Sequence, residues 1–110
     1  MQGLLRSVAL FVVAAISEIG GAYLVWQWRR SHKPVLWALI GVAALFVYSF
    51  IQTTQSFSFG RAFAAYGGIF IVIAMVWGWL IDGHMPDLWD AIGGAICLIG
   101  VVVIVTAPRP

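Results

Sequence analysis

Four apolar stretches, each long enough to cross a membrane, occupy most of this chain and leave almost nothing between them. They run over Leu4–Trp28, Pro34–Thr53, Arg61–Ile81 and Leu88–Ala107. A helix of about 20 residues covers the ~30 Å hydrocarbon core at 1.5 Å per residue, so each stretch predicts one spanning helix. The breaks are turn-like. Arg29-Arg30-Ser31-His32-Lys33-Pro34 is charged and ends in proline, Thr53–Gly60 is a polar link, and Asp82-Gly83-His84-Met85-Pro86-Asp87 is a glycine/proline turn. With 63% hydrophobic and 9% charged residues in 110, a soluble domain could not cover its own apolar surface. The expected fold is all-α: one four-transmembrane-helix domain over residues 1–110, multi-pass in a membrane.

The N-terminal stretch imitates a secretory leader, with Arg6, an apolar run and small residues at Ala15-Ile16-Ser17. The run continues to Trp28 and closes on Arg29-Arg30, which favours a spanning helix. Trp26, Trp28, Trp37 and Trp89 fall near predicted helix ends, where indole rings favour the interface, and Trp77 and Trp79 near the end of helix 3 read the same way.

An even number of spans puts both termini on one side. Arg6, Arg61 and Arg109 collect there, against Arg29, Arg30 and Lys33 on the other, three against three. Lys/Arg bias sets orientation, and here it is nil. The balance predicts insertion both ways up and an antiparallel homodimer; the competing reading is that Arg29-Arg30, tight against a helix end, selects one orientation.

Glu18 is the only acidic residue inside an apolar run, almost midway between Arg6 and Arg29, which stand roughly 33 Å apart along a helix. A carboxylate at that depth costs several kcal/mol unless it is partnered, wetted or protonated, so it marks a functional site by default. Its helical neighbours Ala14, Ala15, Gly21 and Ala22 are all small, and Ser17 adds a hydroxyl. A small face leaves room for a ligand or for another helix.

Helix 3 carries Phe59, Phe63, Tyr66, Phe70 and Trp77 at gaps of four, three, four and seven, one stripe on a helix. Such a stripe packs against lipid or core, or walls a cation-accepting cavity. Tyr66 has a hydroxyl able to reach Glu18. Gly67 and Gly68 predict an interruption or kink in mid-helix. In helix 2, Tyr48, Ser49 and Gln52 either line the same cavity or hydrogen-bond between helices. Gly93 and Gly100, two turns apart on helix 4, predict close helix association. Asp87 after Pro86, with Asp90 three later, reads as an N-cap and its helix-dipole partner.

Several classes are disfavoured. A net charge of +2 without a basic stripe gives no nucleic-acid partner. Cys97 is single, and His32 and His84 lie in turns without a ligand cluster, so neither a disulfide nor a metal is expected. No phosphate loop or nucleophile–base set is present, so neither an enzyme nor a cofactor is expected.

The runs Ala15-Ile16-Ser17-Glu18-Ile19-Gly20-Gly21, Gly60-Arg61-Ala62-Phe63-Ala64-Ala65-Tyr66-Gly67-Gly68 and Asp82-Gly83 closely resemble the YnfA-like family of small bacterial inner-membrane proteins, over essentially the whole chain. That family in turn looks like a branch of the small multidrug resistance transporters, antiparallel four-helix dimers that exchange protons for small cations. The resemblance implies that Glu18 is the embedded glutamate that binds proton and substrate. It sets Phe63 at a third-helix tyrosine, Tyr66 at the substrate-stacking tryptophan, Gly67 and Gly68 at the kink, and Gly93 and Gly100 at the dimerising glycines. Tyr66 in place of tryptophan, Arg61 opening helix 3 and a rewritten first loop depart from the pattern and bear on the substrate more than the architecture.

The expected function is proton-coupled efflux of small cationic or amphipathic compounds across the bacterial inner membrane. The proton/substrate-binding candidates are Glu18, Tyr66, Phe63, Phe70, Ser17, Tyr48 and Gln52, and the partners are a second copy, the lipid bilayer, protons and small cations. The alternatives are a dimeric channel or passive pore, and a non-transporting accessory protein of a larger complex.

Overall fold

In a bilayer a spanning segment must satisfy its backbone hydrogen bonds internally, and the apolar runs do so as helices. The computed structural model describes residues 2–109 and contains α1 (Gln2–Arg30), α2 (Val35–Gln52), α3 (Phe59–Leu80) and α4 (Leu88–Thr106). All four are long and apolar enough to cross a membrane.

The helix ends differ from the hydropathy boundaries for local reasons. α1 runs on through Arg29 and Arg30, because cations in a last turn complement the negative end of the helix dipole. The Arg30 guanidinium lies 4.8 Å from the Trp26 ring centre, an interfacial cation–π contact. The chain then reverses at His32, whose φ of 57° lies in the left-handed region. Pro34 caps α2 instead of opening it. α3 begins at Phe59, so Arg61 sits within its first turn. α4 opens on a reciprocal cap: the Asp90 N–H donates to Asp87 Oδ1 at 2.8 Å and the Asp87 N–H donates to Asp90 Oδ2 at 3.1 Å.

α1 packs on α2 and on α3, and α3 packs on α4. Without a hydrophobic drive between helices in lipid, close packing rests on small residues. The α1–α2 contact is backbone to backbone: a Cβ placed on Gly21 would lie 2.7 Å from the Gly41 carbonyl oxygen, and one on Gly41 would lie 2.5 Å from the Gly21 carbonyl oxygen. The Ser17 hydroxyl donates to the Ala44 carbonyl at 2.7 Å across the same contact.

α3 is helical without a break through Gly67 and Gly68, so the paired glycines do not interrupt it. Gly68 instead faces α4, where a Cβ would meet Val101 Cγ2 and stand 3.0 Å from the Cys97 carbonyl oxygen. Gly94, not Gly93, is the α4 glycine turned to α3, toward Met75. A Cβ on Gly67, Gly93 or Gly100 would meet nothing within 4 Å, so within one chain the Gly93/Gly100 face is free.

The core is small and aromatic-rich, with Phe11, Ala14, Ala15, Ala65, Tyr66, Ile69 and Val101 buried together. Most large apolar side chains point outward, Phe46, Trp89, Ile96 and Ile99 among them, as lipid-facing residues do.

Candidate functional site

α1 presents Glu18 and α3 presents Tyr66 across the α1–α3 contact. The Tyr66 hydroxyl donates to Glu18 Oε1 at 2.5 Å, tying residues 48 apart in sequence. A hydrogen bond to an ionised acceptor is short and about twice as strong as a neutral one. Tyr66 is only 4% exposed. Four rings enclose it, with centres 5.6 Å away for Tyr48, 5.7 Å for Phe70, and 6.1 Å for both Phe63 and Phe11. Phe57 stacks on Phe11 at 6.4 Å and 12°. Tyr66 is therefore held in position by its ring neighbours, and its hydroxyl holds the carboxylate.

Glu18 stands at the inner end of a cleft of about 570 Å³ between α1 and α3. Glu18, Ala22, Tyr23 and Gln27 line one wall and Phe70, Ala74 and Trp77 the other, with Asp82 and His84 at the end beside the α3–α4 turn. From Glu18 to Gln27 the cleft follows α1 for roughly 13 Å. Its size suits a small ligand. Tyr23 and Trp77 meet edge to face at 5.5 Å. The Trp77 indole N–H is buried without a hydrogen-bond partner among the described residues. The Trp77 ring lies over Gly20, 3.5 Å from where a Cβ would stand. Trp77 is thus a cleft wall with a free donor and not simply a belt residue.

Not every residue expected at this site reaches it. Glu18 and Phe70 line the cleft, and Tyr66 closes its inner end. Tyr48 contributes through its ring contact with Tyr66. Ser17 is turned away: its hydroxyl proton is committed to Ala44, because Ser17 lies on the α2-facing side of α1 with Gly21. Gln52 and Phe63 line a different cavity, about a full helical turn from Tyr66 toward the α2–α3 link. The small face around Glu18 is likewise divided. Ala14 and Ala15 are fully buried in the core, Gly21 meets Gly41, and Ala22 alone of the four opens on the cleft.

Sequence reasoning missed Phe11 as the floor beneath Tyr66, although it lies seven residues before Glu18 and so on the same face of α1. It also missed Tyr23, Gln27, Asp82 and His84, for which only helical spacing from Glu18 and the short α3–α4 turn carried a signal. Among the described residues no three His, Cys, Asp or Glu side chains converge to hold a metal.

The family model described as "Uncharacterised BCR, YnfA/UPF0060 family" matches residues 4–110. The chain belongs to the YnfA/UPF0060 family. It is 54% identical over 107 residues to a UPF0060 membrane protein of Clavibacter sepedonicus, covering 96% of each chain. It is 55% identical over 107 residues to the UPF0060 membrane protein YfjF of Bacillus subtilis, covering 96% of this chain and 98% of that one. A UPF0060 membrane protein of Saccharopolyspora erythraea is 54% identical over 110 residues, covering 99% of this chain and 100% of its own. No solved structure matches the chain. With its relatives' names and its four apolar helices, this YnfA/UPF0060 member is a multi-pass membrane protein.

Tyr66→Phe keeps the ring and deletes only the bond to Glu18. The expected outcome is a folded protein less stable by about 1 kcal/mol, the net worth of one hydrogen bond. Unfolding in increasing denaturing detergent, followed by circular dichroism, checks it; equal midpoints for wild type and variant would mean that the Tyr66–Glu18 bond contributes nothing to the fold.

Proposed function

We propose that this YnfA/UPF0060 protein is a proton-coupled exporter of small cationic or amphipathic compounds, working as an antiparallel homodimer in the bacterial inner membrane. One observation carries the reading. The only carboxylate in mid-span among the described residues stands at the inner end of an aromatic-walled cleft, with one oxygen held by Tyr66, while Asp90 lies in the first turn of α4 and is tied into its cap. Protonated, such a group is neutral and releases a cation; ionised, it attracts one. A proton and a cation then compete for Glu18, and competition at one site with alternating access gives exchange. Tyr23, Phe70 and Trp77 offer ring faces to a cation, and Asp82 near the mouth adds a second negative charge. The chemistry is binding and release, with no bond made or broken in the substrate.

The even Lys/Arg tally and the open Gly93/Gly100 face of α4 support pairing with an inverted second copy. Such a pair supplies the inverted symmetry that larger transporters build within one chain.

The test uses the protein in proteoliposomes with an imposed proton gradient. Tetraphenylphosphonium and butylammonium are expected to move against their own gradients, in the direction opposite to the protons, with a fixed ratio of the two fluxes. Cation flux that ignores the proton gradient would favour a passive pore. No flux of either ion, with a single large membrane protein co-purifying in fixed ratio, would favour an accessory role.

A further inference from the structure

On the other side of Tyr66 from the Glu18 cleft lies a second cavity of about 350 Å³, between α2, the α2–α3 link and the start of α3. Its polar lining is unusual in one respect. Gln52 is 7% exposed, and although its side chain lies beside the Tyr48 hydroxyl, neither its Oε1 nor its Nε2 meets hydrogen-bond geometry with a partner among the described residues. Gln55 donates from Nε2 to the Ser7 carbonyl at 3.1 Å, while its Oε1 is buried and unpartnered. Buried polar groups are nearly always paired, and an unpaired one costs free energy, so two adjacent glutamines bordering one cavity need an occupant to explain them.

The lining also says what kind. The Ser49 and Thr53 hydroxyls donate back to the Leu45 and Phe50 carbonyls, at 3.2 and 2.6 Å, so only their oxygen lone pairs remain to offer the cavity. Behind them, closed to solvent at the cavity wall, lie the two glutamine Oε1 atoms and the Gln52 Nε2, so acceptors from four side chains and one amide NH₂ border the cavity. Phe57, Phe59 and Phe63 contribute ring faces, and no carboxylate lines it. An acceptor-rich, ring-walled volume without a formal counter-charge complements a primary ammonium group, which carries three donors and no acceptor and is attracted to aromatic faces. A quaternary ammonium keeps the charge but leaves the acceptors unanswered.

We propose that this cavity is a second binding site, taking the primary-ammonium end of a small organic cation and separated from Glu18 by Tyr66. It rests on the proposed function only for the charge of its ligand, and it does not require Glu18 to exchange protons.

The experiment uses the full chain in lipid nanodiscs carrying Glu18→Gln, which removes the charge of the first cleft. Butylammonium is titrated while the ¹⁵N side-chain amide resonance of Gln52, assigned by its loss in Gln52→Leu, is followed. The expected result is a saturable shift, with butyltrimethylammonium binding about tenfold or more weakly. Gln52→Leu or Gln55→Leu, whichever retains the monodisperse elution of the parent, is expected to weaken butylammonium binding by about tenfold in calorimetry. A Gln52 resonance that does not move, equal affinity for the two cations, or unchanged binding in the folded leucine variant would overturn the site and leave a cavity that holds only water. Failure here is separable from failure of the transport reading, which is tested by flux with Glu18 present.

Discussion

Glu18→Gln is expected to eliminate proton-driven cation movement and leave the four-helix fold assembled. The substitution is nearly isosteric. Its amide oxygen can still accept the Tyr66 hydroxyl bond, which in the parent spans 2.5 Å, so the ring cluster around Tyr66 keeps its support. What disappears is the charge and the ability to titrate. At an effective dielectric near 20, a carboxylate and a cation about 4 Å apart attract by about 4 kcal/mol, so affinity in the first cleft should fall by about a thousandfold. Flux coupled to protons should fall to the level of empty liposomes, because no other carboxylate lies in mid-span among the described residues; Asp90 sits in the first turn of α4, held in the cap with Asp87. Unchanged elution and helical circular dichroism would show that the loss is functional. A variant that still drives a cation against its gradient at the expense of protons would refute the role of Glu18.

Gly41→Ala is expected to damage the fold itself. The new methyl would stand 2.5 Å from the Gly21 carbonyl oxygen and 3.0 Å from Val25 Cγ2, well inside van der Waals contact, and the obstacle is backbone that cannot rotate away. Overpacking of this kind costs about 1–3 kcal/mol. Gly78→Ala is the matched control: it lies in α3 with nothing within 4 Å of its added Cβ, and alanine is the better helix former by up to ~1 kcal/mol. Unfolding in increasing denaturing detergent, followed by circular dichroism, should place the Gly41 variant clearly below wild type and the Gly78 variant at or above it. Equal midpoints would mean that the α1–α2 backbone contact contributes nothing to stability.

Helix number was legible because four apolar runs and three short polar breaks leave little choice in a bilayer. The Asp87/Asp90 cap was legible because capping chemistry is local. The pairing of Glu18 with Tyr66 could be anticipated, since a buried carboxylate needs a donor and Tyr66 carries a hydroxyl on the aromatic stripe. Helix rotation was not legible. A segment apolar on all sides has no polar face to say which way it turns, and rotation is set by contacts such as Gly21 on Gly41 and Gly68 on Val101 that appear only once helices meet. Ser17 and Gln52 were therefore expected beside Glu18 when one faces α2 and the other a separate cavity. Trp77 carried two signals. Its place near a helix end reads as an interfacial anchor, and its place on the α3 aromatic stripe reads as a possible cavity wall; the ring turned inward over Gly20 follows the stripe.

The glycine contacts also divide the molecule mechanically. Gly21 and Gly41, with the Ser17–Ala44 bond, lock α1 to α2, while Gly68 and Gly94 lock α3 to α4. Between these two rigid halves runs a single seam, crossed by the Tyr66–Glu18 bond and by the ring contacts of Tyr66 with Phe11 and Tyr48. Both cavities straddle that seam, one on each side of Tyr66. Rocking one half against the other would widen one cavity as it narrows the other, with Tyr66 as the fulcrum.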